Sequence, residues 1–248
     1  MTSGQGGSLV RALRVLEAVS ALGDGVTAKA IARRLGCPLP TVYRALGTLV
    51  EEGYLVRLNA VRGYGLGYKV AELHRGLTTQ VRPSTAVRTL LHEVHDGVGA
   101  AAYLAVRRDV EVVVAHVDRC AEHPGPLGLR VGEPAPVHAT ALGKVLLAGL
   151  GPAELGEVLE RTPLTAYTPR TLADRRGLDR ELQRIRAAGA AVEVEEFHRG
   201  VAGVAVALRG ATAAVGVAVS RSEFTARRWE LEHAVREAAD RVSRLLTA

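Results

Sequence analysis

Several sets of side chains in this sequence have the chemistry to bind or react. Thr41, Arg44 and Thr48 are spaced by three and four residues, so on a helix they share one polar face. A guanidinium there can donate bidentately to guanine, and short hydroxyls can reach base edges or phosphates. Tyr43 borders that face, while Arg33, Arg34, Arg57 and Arg62 could neutralise backbone phosphates on either side of it. Glu193, Glu195 and Glu196 could move protons on a small acid, though ending a strand, lining a ligand site or facing solvent is the plainer reading. His92 and His95 stand at i and i+3, yet no third metal ligand is evident, and solvated surface histidines explain them better. Gly143-Lys144 has the dipeptide of a phosphate loop, but His138 and Val145 occupy the positions of its required glycine and hydroxyl, which excludes it. Gly63-x-Gly65-x-Gly67 lacks dinucleotide spacing, and no Gly-x-Ser-x-Gly elbow exists. No catalytic residue, metal or cofactor is therefore expected.

Charge separates the chain into two parts. Residues 1–75 carry 10 basic and 5 acidic side chains, and the rest carry 22 and 21. The excess of the formal net charge, +6, thus sits in the first third, as expected for a polyanion-binding module joined to a neutral one. High genomic G+C content would explain 29 Arg against 3 Lys, but not that asymmetry. A length of 248 residues allows one large or two small domains, and 48% hydrophobic with 23% charged residues excludes a disordered chain. The absence of a long apolar run argues against a membrane span, and residues 1–8 do not read as a secretory signal. Two cysteines cannot build a disulfide framework. The expected compartment is the cytoplasm.

The elements that must hold the Arg44 face read as three helices and a hairpin. Leu9, Ala12, Leu13, Leu16 and Val19 make an amphipathic stripe, with Ser8 as its N-cap and Gly23-Asp24-Gly25 as its end. Thr27 caps a second helix carrying Ala28, Ile31, Ala32 and Leu35, and Gly36-Cys37-Pro38 turns the chain. A third helix has Pro40 near its first position and buries Val42, Ala45, Leu46, Leu49 and Val50. Strands over 54–58 and 64–66 flank a turn at 59–63. This order predicts a winged helix-turn-helix over 1–75, with Thr27, Arg33, Arg34, Thr41, Tyr43, Arg44, Thr48, Arg57 and Arg62 as its DNA-binding residues.

A helix over 69–79 leads to Arg82-Pro83, placing a linker at 76–83 and a second domain at 84–248. There Ser84 caps a helix stopped by Gly97, and strands follow at 100–106 and 110–117. Residues 119–136 read as loop with a short strand near 127–131, before a helix over 138–150 capped by Thr140. A Thr171–Asp174 capping box opens a helix ending near Gly189. Strands at 190–194, 201–208 and 213–219 precede a last helix from Thr225 with Trp229, Val235, Val242 and Leu246 inward. The fold class is α+β, with two domains and a mostly antiparallel sheet flanked by helices in the second.

Ser8-Leu9-Val10-Arg11-Ala12-Leu13, Thr41-Val42-Tyr43-Arg44-Ala45-Leu46, Glu52-Gly53-Tyr54-Leu55 and Tyr64-Gly65-Leu66-Gly67 resemble the N-terminal domain of the IclR family of bacterial transcriptional regulators. The stretch from Val137 to Ala148, then Glu195-Glu196, Gly200-Val201 and Val204-Ala205, resembles its C-terminal domain, so nearly the whole chain is covered. Pro40 departs from the polar or basic residue often found there, removing one phosphate contact. The resemblance implies a GAF-like effector-binding domain, a homodimer or dimer of dimers, and a repressor or dual regulator on double-stranded operator DNA, an inverted repeat by symmetry. The first and linker helices would meet through Leu9, Leu13, Leu73 and Leu77. It also implies small-molecule effector contacts at Leu127, Ala135, Ala141, Leu142, Glu193, Val201, Gly203, Ala218 and Ser220. Gly203 and Ala218 replace positions that can be polar in relatives, which favours a larger, less polar organic acid, aromatic or medium-chain, over a two- or three-carbon oxo-acid. The competing readings are an architectural DNA-binding protein without ligand and an enzyme acting on a small acid.

Overall fold

The computed structural model describes residues 3–126, 128–210 and 212–247. The chain parts into two compact units, Met1–Leu77 and Thr78–Ala248. The first opens with helices Ser3–Leu22 (α1), Ala28–Leu35 (α2) and Leu39–Glu51 (α3), followed by antiparallel strands Leu55–Leu58 (β1) and Gly63–Leu66 (β2). Thr27 caps α2, its hydroxyl accepting from the Ala30 N–H at 3.3 Å, and Gly36 closes it in the left-handed region. Pro40 sits within the first turn of α3, where a missing N–H breaks no helical bond. Val15, Ala18, Val19, Ile31, Val42, Leu46, Leu49 and Leu55 form one core. Gly63 is required where the wing returns, because a Cβ there would run into the Gly25 backbone. One expectation for α1 fails: Ser8 lies inside the helix and does not cap it, while Leu9 and Leu13 are 65% and 50% exposed and the core takes Val15, Ala18 and Val19.

Helix Tyr68–Val81 (α4) contains the boundary between the units. The second unit continues with Thr85–Val98 (α5), strands Ala101–Arg108 (β3) and Glu111–Asp118 (β4), and helices Ala141–Ala148 (α6), Pro152–Arg161 (α7) and Arg175–Ala188 (α8). Strands Ala191–Val194 (β5), Val201–Ala207 (β6) and Ala213–Ser220 (β7) and helix Arg221–Thr247 (α9) complete it. The sheet is antiparallel in the order β4-β3-β7-β6-β5. Helices α5 and α9 pack together on the sheet, and α6, backed by α8, packs on β5, β6 and β7. The core beneath α6 joins Tyr103, Val114, Leu142, Leu146, Leu178, Leu182 and Ala205.

Several local expectations change here. Helix α5 runs past Gly97 and ends at Gly99, whose left-handed φ of 54° suits glycine. Described residues 128–131 form no strand. Asp174 itself caps α8 by accepting from the Gly177 N–H at 2.8 Å, while the Thr171 hydroxyl instead donates to the Glu196 carbonyl at 2.6 Å. The capping box belongs to α9: the Ser220 N–H donates to Glu223 at 3.1 Å and the Glu223 N–H to the Ser220 hydroxyl at 3.2 Å, so the helix starts before Thr225. Trp229 is 80% and Leu246 61% exposed, leaving Leu231, Val235, Ala238 and Val242 as the inward stripe. His95 is buried, with Nδ1 2.7 Å from the Ala100 carbonyl, and is no surface histidine.

Candidate functional site

On α3 the burial of Val42, Leu46 and Leu49 turns the opposite side outward. Arg44 and Thr48 are exposed and Thr41 half-buried, and all three line a cleft together with Ser8 and Arg11 of α1. Arg11 was not among the sequence candidates; its place one helical turn before Val15 is the signal that α1 presents it beside α3. Tyr43 is 53% exposed. Thr27 and Arg33 lie together in a second groove on α2, with Arg34 exposed beside them. Arg57 is exposed on β1, and Arg62 follows the wing's short turn with a left-handed φ of 50°. Among the described residues none of Arg11, Arg33, Arg34, Arg44, Arg57 and Arg62 enters a salt bridge. An unpaired cationic face of this kind suits a polyanion.

In the second unit a cavity lies between α6 and the sheet, lined by Tyr103, Pro126, Leu129, Thr140, Ala141, Leu142, Glu193, Gly203, Val204, Gly216, Val217 and Ala218. It spans about 300 Å³ of empty space, partly open to solvent, but a water molecule can centre itself in only about 20 Å³ of it. Its walls are therefore closely apposed. Ala141, Leu142, Glu193, Gly203 and Ala218 are the sequence candidates brought together here. Ala135 is buried in the core, Val201 is half-buried against it, and the Ser220 hydroxyl is committed to Glu223 at 2.5 Å. Leu127 lies outside the described residues. Sequence reading missed Tyr103, since an aromatic residue in a strand reads as core packing.

The electrostatics of the cavity centre on one acid. Burial pushes the Glu193 carboxyl up to about 7, against the opposing pull of the Glu196 N–H, which donates to it at 3.1 Å. Behind it Lys144, fully buried on α6, donates to the Glu196 carboxylate at 2.7 and 2.8 Å and to the Val192 carbonyl at 2.9 Å. Burial, with the nearby Glu181 adding to it, also raises the Glu196 carboxyl against the pull of Lys144. Glu195 is turned away from this cluster. Gly200 N–H, Arg221 and Arg170 surround its carboxylate and hold it below the usual range. Burial drives the Tyr103 phenol up to about 12.

Two family descriptions match this arrangement, the IclR helix-turn-helix domain over residues 8–59 and the bacterial transcriptional regulator IclR C-terminal domain over residues 77–244. The chain belongs to the IclR family. It is 31% identical over 221 residues to the HTH-type transcriptional regulator XynR of Escherichia coli, covering 89% of this chain and 87% of XynR. It is also 31% identical over 253 residues to the glycerol operon regulatory protein of Streptomyces coelicolor, covering 97% and 96%. Among solved structures, an IclR homolog complexed with 4-hydroxybenzoate from Microbacterium hydrocarbonoxydans superposes with a TM-score of 0.70 at 29% identity, covering 94% of this chain and 95% of that one. As an IclR-family transcriptional regulator, the protein joins a DNA-binding winged helix-turn-helix to an effector-binding domain.

Proposed function

We propose that this IclR-type regulator is a sequence-specific repressor that reads an inverted-repeat operator as a homodimer or dimer of dimers and answers to an organic acid bound under α6. The observation that carries this reading is the exposed, unpaired arginine set around α3 and the wing. Thr41, Arg44 and Thr48 face base edges, with Tyr43 at their border. Thr27, Arg33, Arg34, Arg57 and Arg62 contact phosphates. A single winged helix reads few base pairs, so two copies are needed for useful specificity. The exposed apolar side chains Leu9, Val10 and Leu13 on α1, and Leu73 on α4 with half-buried Leu77 nearby, support the pairing of two chains.

For the effector, Ala141, Leu142, Glu193, Gly203 and Ala218 supply a small-residue pocket against α6, and the 4-hydroxybenzoate complex of the Microbacterium homolog supports an organic acid. Regulation without enzymatic turnover is the reading that fits relatives named as transcriptional regulators. Footprinting the full chain on DNA upstream of neighbouring genes, with light scattering of the same sample, tests the proposal. Protection of two symmetric half-sites by an even-numbered oligomer is expected. A monomer that binds DNA tightly would overturn it.

A further inference from the structure

Helix α3 begins on an apolar edge. Pro38 stands at its N-cap and makes no side-chain hydrogen bond, where Ser, Thr, Asn or Asp ordinarily accepts one. Leu39 and Pro40 follow, and Thr41 is the first polar side chain of the helix. All three apolar residues are exposed, Leu39 by 38%. The core of the unit does not account for them, since α3 buries Val42, Leu46 and Leu49. A run of exposed apolar side chains is unfavourable in water unless something covers it in use.

The position of the edge on the helix says what it meets. Pro40 lies four residues before Arg44, so the two share one face, about 6 Å apart along the axis. That face also carries Thr41 and Thr48 and opens to solvent. Leu39 lines the neighbouring groove of α2 beside Thr27, Lys29 and Arg33. The edge therefore joins a face suited to bases to a groove suited to phosphates.

Its chemistry selects among the bases. Neither the Leu39 side chain nor the Pro40 ring has a hydrogen-bond donor or acceptor. In the major groove guanine, adenine and cytosine present polar groups, and such a group pressed against this edge loses its water and gains no partner. Thymine alone presents an apolar group there, its C5-methyl.

We propose that the Leu39–Pro40 edge reads a thymine C5-methyl in each operator half-site, within about two base pairs of the base read by Arg44. The inference rests on α3 being the base-reading helix. The spacing follows from the axial rise of about 6 Å set against about 3.4 Å per base pair.

Uracil lacks only that methyl, so replacing the thymines of the footprinted operator by deoxyuridine, one at a time, tests the proposal on the unaltered protein. Gel-shift titration of the full chain should show a position in each half-site where affinity falls about fourfold, the worth of one buried methyl group. The double variant Leu39→Ala/Pro40→Ala should bind operators with thymine and with deoxyuridine at that position equally well. Both changes lie outside the core and alanine favours the helix, so the fold is kept. Affinity for unrelated DNA should match wild type, because the phosphate contacts are untouched. Wild-type binding that is indifferent to every replacement overturns the proposal, as does an undiminished deoxyuridine penalty in the double variant. In both cases the regulator reading stands. If the chain protects no operator, the proposal falls together with that reading.

Discussion

In the first unit the arginines of the α3 face and wing stand in solvent without ion pairs, whereas in the second unit Lys144 and Glu196, behind the cavity, are drawn out of solvent and paired with one another. Several exposed arginines of the second unit are engaged as well: Arg161 with Asp109, Arg175 with Asp179, Arg236 with Glu232, Arg241 with Glu93. The difference separates two uses of charge. Cations left free on a small apolar-cored unit are available to an external polyanion and add little to stability. Charges buried around Lys144 are tied to the fold itself, and disturbing them should be felt in stability first.

The largest test of that contrast is Lys144→Met. Removing the ammonium leaves the Glu196 carboxylate and the Val192 carbonyl without their donor. Breaking a buried pair from one side costs about 3–5 kcal/mol. Arg44→Ala should stay within about 0.5 kcal/mol of wild type, as exposed substitutions do. Denaturant midpoints of the two variants make the comparison. Taking two charges out of water is itself costly, and replacing a buried pair with apolar side chains is often neutral. The double variant Lys144→Met/Glu196→Leu should therefore regain most of the loss; if it is as unstable as Lys144→Met alone, the ion pair is not the source of the effect.

Glu193 gives the next largest effect, and its sign is set by its raised pKa. Between the ordinary value of 4.5 and about 7 the folded state holds a proton that the unfolded state has released. Stability from this group is complete below 4.5 and is lost as pH rises through about 7. Glu193→Gln keeps an acceptor for the Glu196 N–H but cannot ionise. It should be more stable than wild type by up to about 3 kcal/mol at pH 8, with the gain fading near pH 4.5. A gain of equal size at both pH values would locate the effect in packing.

How much of this could be read beforehand follows the same division. The α3 face was legible because Val42, Leu46 and Leu49 mark one side of a helix and so assign Arg44 and Thr48 to the other by periodicity alone. On helix α1 the spacing alone could not say whether Leu9 and Leu13 close the core or wait for a partner, and only their exposure separates the two. In the second unit Lys144 was legible only as a failed phosphate loop, since its partner Glu196 is 52 residues away. Tyr103 and Glu193 meet one cavity only through the order of four strands. The capping box shows the local version of the problem: Thr171–Asp174 and Ser220–Glu223 carry the same pattern, and only tertiary bonds decide which is used.

On the DNA-binding side, Arg44→Ala should weaken specific operator binding by about 1–3 kcal/mol if the guanidinium is bidentate to guanine, with little change on unrelated DNA. Gel-shift titrations on both sequences at one salt concentration read this directly, and equal loss on both would remove Arg44 from base readout.

Arg62 offers the smallest effect and the sharpest separation of stability from binding. It follows the wing turn at φ 50° and ψ 37°, a left-handed conformation that costs a side-chain-bearing residue about 1 kcal/mol and glycine almost nothing. Arg62→Gly relieves that strain, while the greater freedom of glycine in the unfolded chain takes back part of the gain. The net change in stability should be a few tenths of a kcal/mol, of either sign. Binding should respond differently. If the guanidinium neutralises a phosphate, its loss weakens all DNA sequences alike, and the slope of log affinity against log salt falls by about one. Tight binding with an unchanged salt slope would mean that the strained arginine serves the turn and not the DNA. A loss confined to the operator would mean that the wing reads bases.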